Sequence, residues 1–443
     1  MTSKRPVWAL HVLIVGLALH NLVISQLWRA GVRGTALTAV AAWKDVLLLA
    51  AVALVVWGRR GLPFKATPCD WLALAFGLFV VLYGVLPQSL LGGGATHKGV
   101  LFGARHDLLP VGAYFLGRGL DLTADDRARL CQTVLSVAAI VAAFGLIDVY
   151  AVPLSFWRHS AGWFTDQLGF RYQGLSGLPE NFVYNAGNGV VFRRLSSTFL
   201  SPLATSYLLV VALFFVPLRR RFGPPLALLL LVALLFTHTR SALLALVAGL
   251  VVLAVVRRSV RPLVYAVAVA IVGLAFVKGY DHFAPRTHFT ASELKAQETI
   301  AKLHPGASHD PTSSNESSTT EHLTSLRDGA RTVLHQPWGY GLGNSGVTAA
   351  RTHVDVKAGE STYTELGVEL GVLGALVFVA WSLSLLRVTL VRRPWLGAAF
   401  AAVLVLGLQT DVIGVPWIAV SLWALAVAEP GSLFDPGSRV SQR

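Results

Sequence analysis

Apolar stretches long enough to cross a bilayer recur along nearly the whole chain, and they leave few folds open. A helix needs about 17 to 25 apolar residues to cross the ~30 Å hydrocarbon layer. Within that layer every backbone polar group must find an internal partner. Runs of this kind lie at residues 7–26, 36–57, 71–91, 98–117, 130–151, 201–217, 224–238, 240–256, 262–279, 362–386, 395–411 and 413–428. The double-length runs 224–256 and 395–428 are broken by His238-Thr239-Arg240 and Gln409-Thr410-Asp411, which predicts two tight hairpin tips. The expectation is an all-α integral membrane protein with about twelve transmembrane helices. Only 14% of the residues are charged, against about 25% in soluble domains, which excludes a soluble enzyme.

Lys and Arg outnumber Asp and Glu by 37 to 23, a net charge of +14. In a membrane protein this excess belongs on the cytoplasmic loops, so it does not call for nucleic acid. Arg59-Arg60 with Lys65, Arg118 with Arg127 and Arg129, Arg219-Arg220-Arg221, Arg257-Arg258 with Arg261, and Arg387 with Arg392-Arg393 occupy alternate connections. With an even number of spans they share one side with Lys4-Arg5 and with Arg439 and Arg443, so both termini are expected in the cytoplasm. No small-x-small cleavage site precedes Gln26, and the first run is read as a retained span rather than a signal peptide. The expected organisation is nine spans over 1–279 with an outer loop at 152–200, a large outer loop at 280–361, three spans over 362–428, and a cytoplasmic tail at 429–443. Cys69 and Cys131 are too few and too isolated for a disulfide framework or a zinc site.

The large outer loop carries its own helix signals. Thr290-Ala-Ser-Glu293 and Ser318-Thr-Thr-Glu321 have capping-box spacing and predict helix starts near 291 and 319. Leu323, Leu326, Ala330, Val333 and Leu334 recur at helical spacing, which predicts a packed face, and Pro337 predicts a stop near His335. Ser308 to Thr320 is polar and of low complexity and reads as a connection, within which Asn315-Glu316-Ser317 matches a glycosylation tripeptide.

Ionisable residues inside a membrane are expensive and point to function. Lys44 and Asp45 fall roughly 12 to 15 Å inside the second span from its outer end, and Arg105, His106 and Asp107 lie at similar depth in the fourth. Arg240, Glu365, Glu369 and Asp411 sit at outer ends. Lys44 with Asp45, and Arg105 with Asp107, have the make-up of neutralising pairs. His11, His20 and His106 read as interior histidines. The cytoplasmic half has almost no such groups, which disfavours a transporter and favours a site open to the outer space at the lipid surface. The thirteen histidines show no H-x-x-x-H or H-E-x-x-H spacing and the outer loops no D-x-D pair. No metal ligand set is visible, and arginine is the cation expected to meet a phosphate.

The most specific stretch is Ser325-Leu-Arg327, then His335-Gln-Pro337-Trp-Gly339-Tyr-Gly341-Leu-Gly343. A helix bearing an arginine delivers a histidine at its end, and a glycine-rich turn follows that can bring backbone N–H groups close to an anionic or sugar ligand. This stretch resembles the signature of the O-antigen ligase and polymerase superfamily of bacterial membrane glycosyltransferases. It departs from that signature in having Gln336 between His335 and Pro337, and Arg331 where an aromatic is usual. Arg194-Leu-Ser-Ser-Thr198-Phe199, Thr237-His-Thr-Arg240-Ser241 and Thr362-Tyr-Thr-Glu365-Leu-Gly-Val-Glu369-Leu-Gly371 extend the resemblance over most of 190–375.

The resemblance implies a GT-C-like membrane fold and transfer of a glycan from undecaprenyl diphosphate to an acceptor sugar on the periplasmic face of the bacterial inner membrane, without metal, nucleotide sugar or other cofactor. In a ligase the acceptor is the lipid A core oligosaccharide; in a polymerase it is another lipid-linked repeat unit, and a protein-glycosylating ligase is a variant. His335 and Arg240 are the expected catalytic residues, His335 as base or orienting group for the acceptor hydroxyl. Arg194, with Arg193, Arg105 and Arg327, is expected at the diphosphate, and Glu365 and Lys44 are expected as orienting groups. Donor, acceptor and membrane lipid are the expected partners, and nucleic acid is not. A glycan-lipid transporter is the rival of a different class.

Overall fold

The computed structural model describes residues 6–59, 66–160, 162–164, 178, 181–186, 189–218, 222–303, 310, 313 and 316–427. Lys4, Arg5, Arg60, Lys65, Arg219, Arg220, Arg221, Asn315, Arg439, Arg443 and the tail 429–443 lie outside the described residues. Helices dominate. Among the described residues seven are long and apolar enough to cross a membrane: Trp8–Arg29, Gly34–Trp57, Pro68–Val85, Ala124–Ala151, Arg240–Arg257, Val260–Lys278 and Thr362–Arg392. Four shorter apolar helices, Pro202–Phe215, Gly223–Phe236, Pro394–Leu406 and Pro416–Leu425, accompany them. The His97–Leu120 helix is long as well, but it carries Lys98, Arg105, Asp107 and Arg118.

The apolar helices pack on one another through a single large core. His97–Leu120 lies along Pro416–Leu425 and Pro68–Val85, and Arg240–Arg257 lies along Pro394–Leu406. Close approach is bought with small residues: a Cβ on Gly117 would stand 2.4 Å from the carbonyl oxygen of Ala424. Dispersion between closely fitted surfaces is what holds helices together where lipid is as apolar as the partner. Arg118 belongs to this interior rather than to a cytoplasmic loop. Its Nε and Nη2 donate to the two oxygens of Asp70 at 2.8 and 2.9 Å, and the Tyr114 hydroxyl donates to Asp70 at 2.7 Å. One expected loop cation is thus neutralised inside the bundle. The helices break at both predicted places, tightly at 237–239 and over a longer segment at 407–415, where the flanking helices pack on other partners rather than on each other.

Two expectations about the elements are corrected. The second span is not one smooth helix: the Gly34–Ala41 and Trp43–Arg59 helices meet at Ala42, immediately before Lys44 and Asp45. The fold also contains a sheet. Val190–Arg193 pairs antiparallel with Val183–Asn185 on one side and Arg286–His288 on the other, so the two outer segments are stitched together by a β-branched, aromatic strand whose neighbours are short.

In the large outer segment helices occupy Ala291–Leu303 and Ser317–His335. The first has the predicted capping box: Thr290 N–H donates to Glu293 Oε2 at 2.8 Å and Glu293 N–H to Thr290 Oγ1 at 3.4 Å. The second starts earlier than the Ser318 spacing suggests, because Glu316 caps it by accepting the Thr319 N–H at 2.8 Å. Its packed face also differs from the leucine pattern. Leu323 and Leu334 are exposed, and the contact with Thr362–Arg392 is made by Gly329 against Thr364 and Val333 against Gly367. Glycine on alternate sides lets the two helix backbones come close, which a leucine face would prevent.

Candidate active site

Arginine and histidine chemistry collects at the 237–239 tip. Arg194 is buried and has no carboxylate partner; its Nε donates to the Thr237 carbonyl at 2.9 Å, and Nη2 reaches Thr239 Oγ1 at 3.2 Å and the His238 carbonyl at 3.4 Å. Burial, with Arg240 close by, pulls the Arg194 guanidinium down to about 10, which leaves it charged at neutral pH. Arg240 opens the Arg240–Arg257 helix, where the macrodipole disfavours a cation. It is held by Glu316, with Arg240 Nη2 at 2.7 Å from Glu316 Oε2. Burial opposes ionisation of Glu316, but Arg240 and the Thr319 N–H outweigh it and keep the carboxyl below the usual range. The His238 ring lies between Tyr184 and Tyr280, with centroids at 4.4 and 4.2 Å. Of the two arginines at this tip, Arg240 alone meets a carboxylate among the described residues, and that carboxylate caps the loop helix.

The other end of that helix carries the motif histidine. His335 is its last residue and is exposed, and among the described residues no hydrogen bond or ion pair reaches its ring. Leu334 and Trp338 beside it are 76% and 74% exposed, an apolar pair suited to the membrane interface. The chain then docks onto the Thr362–Arg392 helix at a break. Gly371 takes φ 71°, the Val372 N–H donates to the Pro337 carbonyl at 2.9 Å, and the Tyr340 N–H donates to the Val368 carbonyl at 2.6 Å. Only glycine fits at 371, since a Cβ there would stand 2.6 Å from the Pro337 oxygen.

The glycine-rich turn is tied to the next helix through a carboxyl group of the chain itself. Glu369 Oε1 accepts the Gly343 N–H at 2.9 Å and the Ser345 hydroxyl at 2.8 Å. The motif's glycines thus fasten the His335 segment to the Thr362–Arg392 helix. Asn344, fully buried, pins the turn to the 88–94 loop by accepting the Gly94 N–H at 2.8 Å and donating to Gln88 at 2.9 Å.

Beneath the turn lies a cluster that the sequence showed only as scattered residues. His106 is clamped between two carboxylates, Nδ1 at 2.7 Å from Asp107 and Nε2 at 2.6 Å from Asp411. Glu365 and Glu369 line the same small pocket, and Thr362 and Ser345 contribute hydroxyls. Among the described residues no trio of His, Cys, Asp and Glu is arranged to hold a metal. The shared signal in the sequence was depth: these groups come from three segments, each in the expected outer half. Reading His106 singly as an interior histidine concealed it.

The remaining candidates are placed as follows. Arg193 is buried against Asp148, with Nη2 at 2.9 Å from Oδ1, and also donates to the Val152 carbonyl. Arg105 pairs with Asp45 at 2.8 Å rather than with Asp107, and Lys44 binds His20 at 3.2 Å and the Ala41 carbonyl at 2.8 Å rather than Asp45. Both expected pairs are exchanged because residues one or two positions apart on a helix point in different directions. Arg327 is exposed on the loop helix. Glu365 lies against the His106 cluster and touches neither an arginine nor His335 through any hydrogen bond.

No curated protein matches the chain. Residues 225–379 match the family model described as O-antigen ligase. That segment holds the Arg240 hairpin, the loop helix with His335, the glycine-rich turn and the Glu365 and Glu369 helix, and the match supports the chain as a member of the O-antigen ligase and polymerase superfamily.

Proposed function

We propose that the chain is an O-antigen ligase, transferring a polysaccharide from undecaprenyl diphosphate to the lipid A core oligosaccharide at the periplasmic face of the inner membrane. The observation that carries this reading is the family match over residues 225–379, the segment in which a paired arginine tip and an exposed histidine are joined by one helix. In this reading the chain crosses the membrane about twelve times, through the seven long apolar helices, His97–Leu120 and the four shorter ones, with both termini cytoplasmic.

Arg240 and Arg194 attract the donor diphosphate, with Arg105 and Arg327 nearer to solvent and Arg193 supporting the strand that carries Arg194. A diphosphate competes directly with Glu316 for Arg240, since both offer charged oxygen acceptors. His335, beside the interfacial Leu334 and Trp338, takes the proton of the acceptor hydroxyl. The acceptor oxygen bonds to the anomeric carbon as the bond from that carbon to the phosphate oxygen breaks, and the diphosphate leaves with the electron pair. Attack from the opposite face inverts the anomeric centre, and the arginines stabilise the charge on the departing group. Lys44 and Glu365 orient the surrounding polar groups.

Purified protein incubated in detergent with undecaprenyl-diphosphate-linked glycan and rough lipopolysaccharide tests the reading. Laddered lipopolysaccharide is the expected product. Elongation of the lipid-linked glycan without rough lipopolysaccharide would instead identify a polymerase. Failure to join any pair of substrates would leave only the transporter reading.

A further inference from the structure

We infer that Arg351 and Lys98, gathered on the Phe102 ring, form an outer-face site for a phosphate carried on a lipid, the phosphate on the lipid portion of the acceptor. The identity of the acceptor rests on the glycosyl-transfer reading above; the preference for an anion rests on the charges themselves.

The His97–Leu120 helix places Lys98, Phe102 and Arg105 at i, i+4 and i+7, which is one face. The Arg351 guanidinium carbon stands 4.4 Å and Lys98 Nζ 5.5 Å from the Phe102 ring centroid, so two cations share one aromatic ring. Arg105 continues the row, and Lys44 lies within electrostatic reach of both Arg105 and Arg351. The carboxylate within hydrogen-bond distance of this group, among the described residues, is Asp45, and Arg105 already holds it at 2.8 Å. Lys44 is buried and reaches only His20 and the Ala41 carbonyl. No hydrogen bond or ion pair reaches Arg351 among the described residues, and its buried Nε has no partner. Unmet donors in a half-buried guanidinium are costly, and like charges around it add repulsion. A multiply charged anion relieves both.

The same charges decide the ligand class. A metal ion is repelled. A neutral sugar would meet the donors of Arg351 and leave the charge unbalanced. A phosphate monoester supplies both charge and three acceptor oxygens, and the positive end of the 24-residue helix, capped by Thr96, favours it further. The neighbours of the cluster place that phosphate at a lipid surface: Val46, Leu49 and Leu101 beside it are exposed apolar side chains. The donor's diphosphate is met at the Arg240 tip in the proposed reading, so the substrate left to bring a second membrane-borne phosphate is the acceptor glycolipid.

Full-length protein in detergent is titrated with diphosphorylated lipid A, dephosphorylated lipid A, phosphatidylglycerol, undecaprenyl diphosphate and inorganic phosphate. The wild type is compared with Arg351→Gln and with Lys98→Gln, the second an exposed position where substitution does not threaten the fold. The wild type should bind the phosphorylated lipid A about 10- to 100-fold more tightly than the dephosphorylated form, the worth of a hydrogen bond to a charged group. Arg351→Gln should lose most of that preference and Lys98→Gln part of it, with melting temperature and undecaprenyl diphosphate affinity unchanged. An equal preference in the wild type and both variants would overturn the site. Phosphatidylglycerol or inorganic phosphate binding as well as lipid A would also overturn it, leaving a general lipid contact or an adventitious ion only. Weaker undecaprenyl diphosphate binding by Arg351→Gln would return the cluster to the donor. Binding is read without turnover, so a wild type that shows the preference and forms no ligated product sinks the ligase reading while the site stands.

Discussion

Replacing His335 by alanine separates catalysis from structure unusually well. The residue is exposed, ends its helix, and its ring contacts no partner among the described residues. Removing such a side chain changes stability by about ±0.5 kcal/mol, with at most about 0.3–1 kcal/mol more from a charged imidazole at the helix C-terminus. General-base assistance is worth about 10²- to 10⁴-fold, or roughly 2.7 to 5.5 kcal/mol of barrier. The expected loss of rate is therefore severalfold larger in free energy than any effect on folding. His335→Ala should melt within a few degrees of the wild type and bind lipid-linked glycan normally, while ligation to rough lipopolysaccharide falls at least 100-fold. Near-normal ligation at equal expression would refute the assignment and leave the histidine as a surface residue on a docked loop.

Arg240→Ala is expected to weaken donor binding as well as turnover, but it also strands the buried Glu316; the double variant Arg240→Ala/Glu316→Gln should recover stability without recovering donor affinity, read by melting and glycan binding. The Glu360 carboxylate, 2.6 Å from His322 Nδ1, raises the histidine above its ordinary 6.5. The stabilisation is thus complete below about pH 6.5 and lost as pH rises through the raised value. Both side chains are about two-fifths exposed, so it is worth under ~1 kcal/mol, and the loop helix's exchange protection, taken relative to the intrinsic base-catalysed rate, should fall at alkaline pH in the wild type but not in His322→Ala. Cysteine placed at Ser313 should react with an impermeant thiol reagent once the outer membrane is permeabilised, and labelling only after inner-membrane lysis would reverse the orientation. Ligation by purified components should continue in excess EDTA, and its loss with recovery on adding Mg²⁺ or Mn²⁺ would reveal a metal requirement.

The helices were legible because an apolar run of sufficient length has one solution in lipid. The loop helices were legible from their caps, with Thr290 and Glu293 as read and Glu316 displacing Ser318 because Arg240 holds it in place. Partners were not legible. Lys44 and Asp45 are neighbours in sequence, but adjacent positions on one helix point apart, one to His20 and the other to Arg105. The same limit hid the His106 cluster, whose members come from three distant segments and acquire meaning only when packed together. The glycine-rich motif was found for a sound reason, the need for close backbone approach, but its contact with Glu369 in the next helix was not visible from spacing.

The charge layout explains why the two ends of the loop helix need different chemistry. Around Arg194 and Arg240 cations exceed anions, whereas around Glu365 carboxylates exceed cations. Merging the regions would set arginines against carboxylates, and each would neutralise the other. At an effective dielectric near 20, unit charges 4 Å apart interact by about 4 kcal/mol, enough to take Arg240 and Arg194 out of use. The gap between the regions is spanned by a helix capped by Glu316 at one end and followed at the other by a segment fastened at Gly371, which in the proposed reading keeps the arginines available to the anionic leaving group.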